Sequence, residues 1–413
     1  MTAVVRLDDP YVDTLVREAL AAQCPSLAIV SEWPPQDHDG DAPPLLQWRE
    51  YEQVDWDMVS RHPECSLANT YCIRKALIRK IQMANAFQYY CAKRPGCTLA
   101  RHVPETWIFR LDHPSYLDEA LNECWEVERG FRNNLACDDP RERERFIMKP
   151  SMTGRGAGIY LLESLADMEQ VLEALFEDSD DDDEDDDDDD DDGEQGSAWM
   201  LREWVIQRYI GRPLLLANDP RKFHIRAYVL SVGRMHVYLY REMLALFAGA
   251  DYDAADIAAL DRHLTNTCLQ QHARDFDESR AVRAFWDLAS HGLDRPALDG
   301  IFDQCARILG DCFAAVTSDA VGFQALPNAF ELYGFDFLVD DARHVWLLEA
   351  NAFPDFAQTG EQLRGLVRGL FEATVGVAVC PFVAAVEHGT PPPSTPPSDP
   401  RLRLVYDRST SHT

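Results

Sequence analysis

The chain has 413 residues, with 39 Lys and Arg against 71 Asp and Glu, a formal charge of −32 and 46% apolar residues. Length and apolar content predict two or three packed subdomains, and the acidic balance excludes broad electrostatic binding of DNA or RNA backbones. No stretch reads as a membrane span and the start, "MTAVVRLDDPYVDTL", has no basic-then-apolar leader, which predicts a cytoplasmic protein.

In chain order, "DPYVDTLVREALAAQ" reads as a capped helix and "SLAIVSEW" as a strand, within an N-terminal subdomain of residues 1–66. "NTYCIRKALIRKIQMANAFQYYCAK" reads as one helix. Ile73, Leu77 and Ile81 fall on its apolar face, and Arg74, Lys75, Arg79 and Lys80 on a basic one. Such a face is ordinarily solvated; a phosphate-facing lysine is the sharper reading. "RERFIMKPSMTGRGAGIYLLES" (143–164) is a strand ending in Lys149, a loop with Gly154, Gly156 and Gly158, and a second strand. Glycines let backbone N–H groups approach a phosphate beside a lysine, although the spacing is neither a Walker A loop nor a dinucleotide fingerprint.

After a helix-like "SLADMEQVLEALFE" comes "EDSDDDDEDDDDDDDDGE" (177–194), with 16 acidic groups. Its charges repel and nothing apolar offsets their ordering, so residues 177–196 are expected to be a disordered loop. Without that run, half of the formal charge remains. "WMLREWVIQRYI" (199–210) is strand-like, and "KFHIRAYVLSVGRMHVYLYREMLALF" (222–247) reads as a strand pair. By period two, Lys222, His224 and Arg226 share a face opposite Phe223, Ile225 and Val229. Phosphate oxygens satisfy such a cationic row, with Arg226 able to grip an oxyanion bidentately. "HLTNTCLQ" (263–270) adds Thr265 and Asn266 after a polar loop.

"FELYGFDFLVDDARHVWLLEANAF" (330–353) reads as two strands. A two-residue turn at Ala342 and Arg343 sets Asp336 opposite Glu349 and puts Asn351 on the same face, with Leu338 and Leu347 beside them. Facing carboxylates need a cation between them, and a hard divalent ion, magnesium carrying phosphate, is the simplest. Solvated carboxylates are the bland alternative. The proline-rich end, "EHGTPPPSTPPSDPRLRLVYDRSTSHT", is expected to be a disordered tail from about residue 383. Either it or the acidic loop offers a docking point for a protein partner. Eleven scattered cysteines without a CxxC pair read as reduced thiols.

Four ordered blocks, "FIMKPSMTGRGAGI", "VIQRYIGRPLLL", "HLTNTCLQ" and "FELYGFDFLVDDARHVWLLEANAFP", resemble the tubulin–tyrosine ligase-like family of ATP-grasp enzymes, over most of residues 67–365. The resemblance implies an α/β (α+β) ATP-grasp fold, with a central subdomain at 67–212, a C-terminal subdomain at 213–382, and ATP between their sheets. It implies that Lys75 and Lys149 hold the α- and β-phosphates under a flap around Arg155, Gly156 and Gly158. Gln207, Arg208, Tyr209 and Ile210 then bracket adenine through backbone groups, and Lys222 lies near the ribose. Asp336, Glu349 and Asn351 correspond to magnesium ligands, and Arg226 assists transfer at the γ-phosphate. The implied reaction activates a carboxylate as an acyl phosphate, which an amino group displaces, joining an amino acid to a protein carboxylate.

The chain departs from the pattern twice. His224 stands in "KFHIR" where the family usually has an acid near the ribose or the incoming amino acid, and Ala245 stands where an arginine is usually aimed at the γ-phosphate. Acidic tubulin tails are also a poor match for a chain of this charge. Two functions are therefore carried forward: an ATP- and magnesium-dependent ligase, and an ATP-binding module that docks a protein partner, as relatives associated with mRNA-decay granules do.

Overall fold

Strand β1 (Thr2–Arg6) opens a parallel sheet with β2 (Ala28–Val30), β3 (Leu46–Arg49) and β4 (Leu67–Ala68), in the order β2-β1-β3-β4. Parallel neighbours need a crossover, and helix α1 (Pro10–Gln23) supplies the first. Its start is written locally. Asp9 accepts hydrogen bonds from the Tyr11 and Val12 backbone, and Pro10 occupies the first turn. Leu15, Val16, Ala19 and Leu20 form its buried face. This computed structural model describes residues 1–33, 45–151, 158–180, 203–265, 278–356, 363–393 and 395–409.

The single helix expected after residue 69 is instead two, α2 (Lys75–Ile78) and α3 (Lys80–Lys93), broken where Arg79 is extended at φ −102°, ψ 125°. Arg74 is not on a solvated face. It is buried, with Nε 2.7 Å from Glu331 of the C-terminal sheet. Tyr71, Leu77, Met83 and Phe87 pack into the core of that same sheet, so this stretch, expected within the central subdomain, packs on the C-terminal sheet.

The central sheet is antiparallel, β5 (Thr106–Arg110), β6 (Phe146–Pro150), β7 (Tyr160–Leu162) and β8 (Glu203–Arg208), ordered β5-β8-β6-β7. Phe109, Phe131, Phe146 and Trp204 belong to its own core. Helix α4 (Leu165–Asp180) runs past its expected end into the first acidic residues; the rest of the acidic loop lies outside the described residues.

The C-terminal sheet is built on β9 (Arg221–Val232). Its first half pairs with β11 (Leu244–Asp251) and its second with β10 (His236–Tyr240); β11 also pairs with β12 (Val282–Ala284). Along its other edge runs β13 (Phe330–Val339), which carries β14 (Val345–Ala352). Helix α5 (Arg295–Val316) packs on one face, over Ile225, Phe335 and Phe337. On the other face lie α1, α6 (Arg364–Thr374), a π-helical turn at Val375–Val379, and α7 (Cys380–His388). Among the described residues, 364–388 is the one helical stretch apolar and long enough to cross a membrane. Val367, Leu370, Phe371, Val375 and Val379 bury it in the core instead.

The expected disordered tail is not observed as such. Beyond the prolines, β15 (Leu402–Asp407) pairs antiparallel with β10. Its "LRLVYD" sequence includes Val405 and Tyr406, residue types that strands favour, and Gly310 of α5 lets it approach; a Cβ there would sit 2.9 Å from the Val405 carbonyl oxygen.

Candidate active site

Three strands bring one row of charges together. Arg226 on β9 lies opposite Asp336 on β13, which lies opposite Glu349 on β14. The Asp336–Glu349 pairing agrees with the sequence expectation, but two offsets produce it. The hairpin loop has three residues, Asp341–Arg343, with Val339 opposite Val345 and Arg343 left-handed at φ 61°. A bulge then inserts Leu348, so that Leu347 faces Phe337 while Glu349 faces Asp336. The bulge also turns Leu347 into the core with Phe335 and Phe337, not onto the face of Asp336.

A cation already answers Asp336. The Arg226 guanidinium donates to both of its oxygens, Nε to Oδ1 at 2.5 Å and Nη2 to Oδ2 at 3.2 Å. Burial alone raises the Asp336 pKa; the charge and hydrogen bonds of Arg226, with His224, pull it well below the usual carboxylate range. Gly334 makes the approach possible, because a Cβ there would meet the Arg226 side chain at 3.3 Å and Pro354 at 3.0 Å. His224 is buried with Nδ1 2.6 Å from Thr265 Oγ1, and its Nε2 lies 3.5 Å from Asp336 Oδ1 without a close hydrogen bond.

The central sheet contributes the facing wall. Lys149 is buried at the end of β6 and donates to Gln207 Oε1 at 3.0 Å. Thr106 fixes that amide by accepting from Gln207 Nε2 at 3.1 Å. Burial lowers the Lys149 pKa, countered by Glu349 and Asp336 across the cleft. Lys222 donates to Tyr209 Oη at 3.0 Å, linking β9 to the segment after β8. His263 Nδ1 is 2.8 Å from the same hydroxyl and its Nε2 is 2.8 Å from the Asp256 carbonyl. Those partners assign the neutral tautomer protonated on Nε2. With nothing anionic beside it among the described residues, Lys222 is pushed down to about 7 by burial and by Lys149.

The structure thus brings Lys149, Gln207, Tyr209, Lys222, His224, Arg226, Thr265, Asp336, Glu349 and Asn351 to one cleft between two sheets. Lys75 is exposed at the start of α2, which packs on β14. Lys80, which shares the basic face read from sequence with Lys75, lies near enough for its charge to reach Lys149. Arg208 turns away into ion pairs with Glu105 and Glu144. The backbone N–H groups of Arg208 and Tyr209 already donate to the Glu105 and Arg145 carbonyls, so the expected backbone bracket cannot use those two donors; Ile210, half-buried, follows them. Gly158 is left-handed at φ 68°, and a Cβ there would strike Pro150 at 2.8 Å. Arg155, Gly156 and Asn266 lie outside the described residues.

Ala245 is also reassigned. Its side chain enters the core with Ile225, while the residues sharing the site face, opposite Arg226 and His224, are Leu244 and Leu246. An arginine at 245 would point away from the cleft. Sequence reasoning had no signal for Gly334, which matters only through what tertiary packing brings near it; for Lys80 it had the basic face, but not which of its lysines turns to the cleft.

The magnesium implied by the sequence fits this donor set. The Asn351 amide lies 3.2 Å from Glu349 Oε1 and 3.5 Å from Asp336 Oδ2. Turning the amide over presents its oxygen to the same point, giving the oxygen ligands a hard divalent cation takes. Arg226 shares Asp336, so Glu349 and Asn351 keep the more available lone pairs.

The sequence profile described as the tubulin-tyrosine ligase family matches residues 60–385. A probable tubulin–tyrosine ligase of Schizosaccharomyces pombe is 40% identical over 347 residues, 82% of this chain and 83% of that one. The probable tubulin–tyrosine ligase PBY1 of Saccharomyces cerevisiae is 37% identical over 401 residues, 92% of this chain, which spans about half (52%) of that longer protein. Among solved structures, the C-terminal domain of K. lactis Pby1, described as an ATP-grasp enzyme interacting with the mRNA decapping enzyme Dcp2, aligns with a TM-score of 0.69 at 27% identity, over 98% of this chain and 99% of that one.

Proposed function

The chain belongs to the tubulin–tyrosine ligase family, and from that premise we propose that it is an ATP- and magnesium-dependent ligase joining an amino acid to a protein carboxylate through an acyl phosphate. The observation that carries this reading is the opposition of two buried lysines, Lys149 and Lys222, to the Asp336–Glu349–Asn351 cluster across one cleft. Lys149 is answered only across the cleft, by Glu349 and Asp336, and Lys222 has no anion beside it among the described residues. Buried cations so placed are costly, and a triphosphate supplies further negative charge. Lys149 and Lys222 bind and orient it, with Gln207 and Tyr209 holding their ammonium groups in place. Glu349, Asn351 and Asp336 would hold the magnesium, which would supply charge neutralisation to the phosphoryl oxygens. Arg226 is held by Asp336 with its guanidinium at the metal side of the cleft, where it stabilises charge at the transferring phosphoryl group. The sequence expectation of a cytoplasmic location belongs to this reading.

Glu349→Gln tests it. The variant keeps the shape and removes an anionic ligand, so ATP turnover by the purified chain with a cell lysate and labelled amino acids should fall at least about 100-fold, with thermal stability retained. Undiminished labelling of acceptors by the variant would remove the metal cluster from the reaction.

The second reading, an ATP-binding module docking a protein partner, is favoured by one observation. His224 faces Asp336 where an acid is usual, and Leu244 and Leu246 occupy the face from which a further arginine could reach the γ-phosphate. The structural neighbour's described interaction with a decapping enzyme makes such a partner the one to test. Tight ATP binding without any labelled acceptor would decide for this reading.

A further inference from the structure

Helices α1 and α7, far apart in sequence, meet at a pair of thiols. Cys24 caps the C-terminal end of α1, and Cys380 begins α7 directly after the π-helical turn. Separated by 356 positions, their sulfurs lie 2.9 Å apart. That is less than 1 Å beyond a covalent S–S bond of about 2.05 Å. Cys24 is buried at 4% exposure, whereas Cys380 is half-buried and open to solvent on one side, with Sγ 3.8 Å from the Gln23 carbonyl.

We propose that Cys24 and Cys380 are a redox modification site, forming a disulfide when the protein meets a hydroperoxide. The asymmetry of burial sets the order of events. Cys380 is the sulfur the oxidant reaches, and it reacts as the thiolate, with the thiol–thiol contact keeping Cys24 within reach of it. The Cys380 thiolate attacks one peroxide oxygen and the O–O bond breaks. The sulfur gives up two electrons to become a sulfenic acid, and the leaving oxygen departs as an alcohol or water with a proton. Cys24 sulfur then attacks Cys380 sulfur, forming S–S and expelling the sulfenic oxygen, which takes the Cys24 proton and leaves as water. Neither sulfur has a hydrogen bond or ion pair to a residue of the candidate active site among the described contacts. The bond therefore staples α1 to α7 without entering the cleft.

The test uses the full chain, reduced, desalted, exposed to hydrogen peroxide, and mapped by non-reducing mass spectrometry after alkylation in denaturant. The expected result is a mass lower by about 2 Da, a linked peptide joining Cys24 to Cys380, and a melting temperature raised by several degrees that returns on adding dithiothreitol. In Cys24→Ser, dimedone should trap the sulfenic acid at Cys380; in Cys380→Ser, Cys24 should stay unoxidised. Recovery of both cysteines alkylated, linkage of Cys380 to any other cysteine, or equally fast oxidation of Cys24 in Cys380→Ser overturns the proposal. The wild-type map decides the matter even if a variant fails to fold.

Discussion

Lys222 is the residue on which the charge of the cleft is most easily read. Its folded pKa is near 7, against about 10.4 for an unperturbed lysine. The folded chain therefore holds fewer protons than the unfolded one between those values. The resulting penalty to folding is complete below about pH 7 and is relieved as pH rises through the unfolded value. A bound triphosphate reverses the cause of the shift by restoring the ammonium. ATP binding at pH 8 should thus take up part of a proton per site, seen as a calorimetric enthalpy that changes with the buffer's ionisation heat. Lys222→Met should reduce that uptake; identical enthalpies in two buffers for the wild type would sink the idea. Much at this scale was legible in advance, since the period-two alternation of "KFHIR" alone put Lys222, His224 and Arg226 on one face. What alternation could not supply was the answer to Asp336. A carboxylate facing a carboxylate suggested a metal, whereas the neighbouring strand provides Arg226, and it does so only because Gly334 leaves room.

At the scale of elements, the β13–β14 hairpin shows how a correct pairing can arise from a wrong turn. A three-residue loop shifts the register by one and the Leu348 bulge shifts it back, so the site pair matched expectation while Leu347 did not. Bulges leave little mark in a local pattern, because the displaced residue here, Leu348, is the same type as Leu347 before it. The C-terminal strand was missed for a different reason. Its proline-rich approach dominated the composition, although "LRLVYD" itself holds the strand-favouring Val405 and Tyr406. Gly310 gives a direct check on this element. Gly310→Ala would press a Cβ against the β15 backbone and should cost about 1–3 kcal/mol as an overpacking strain. Denaturant unfolding measures it, and an unchanged midpoint would mean that β15 does not lie on α5.

The whole molecule is held together by contacts that cross the divisions suggested by sequence. Arg74, in a stretch that reads as helix, lies between the Tyr51 ring, 3.9 Å from its guanidinium carbon, and Glu331 of β13. Glu331 also accepts hydrogen bonds from the Tyr71 backbone and the Tyr333 hydroxyl. Both charged side chains are almost fully buried, so Arg74→Met leaves an unpaired carboxylate and should destabilise the chain by about 3–5 kcal/mol. Thermal unfolding of the variant tests this, and a loss under 1 kcal/mol would show the pair to be dispensable. The stretch from residue 67 reads with the central subdomain because the resemblance begins there, whereas Tyr71, Leu77, Met83 and Phe87 pack on the C-terminal sheet. The strand that ends the described chain has one more consequence. With β15 in place, the outer backbone edge of β10 is occupied; a protein trimmed before residue 400 bares that edge and gives any second trimmed copy a partner for it. Shortened preparations should accordingly associate with one another as their concentration rises, while intact ones stay apart.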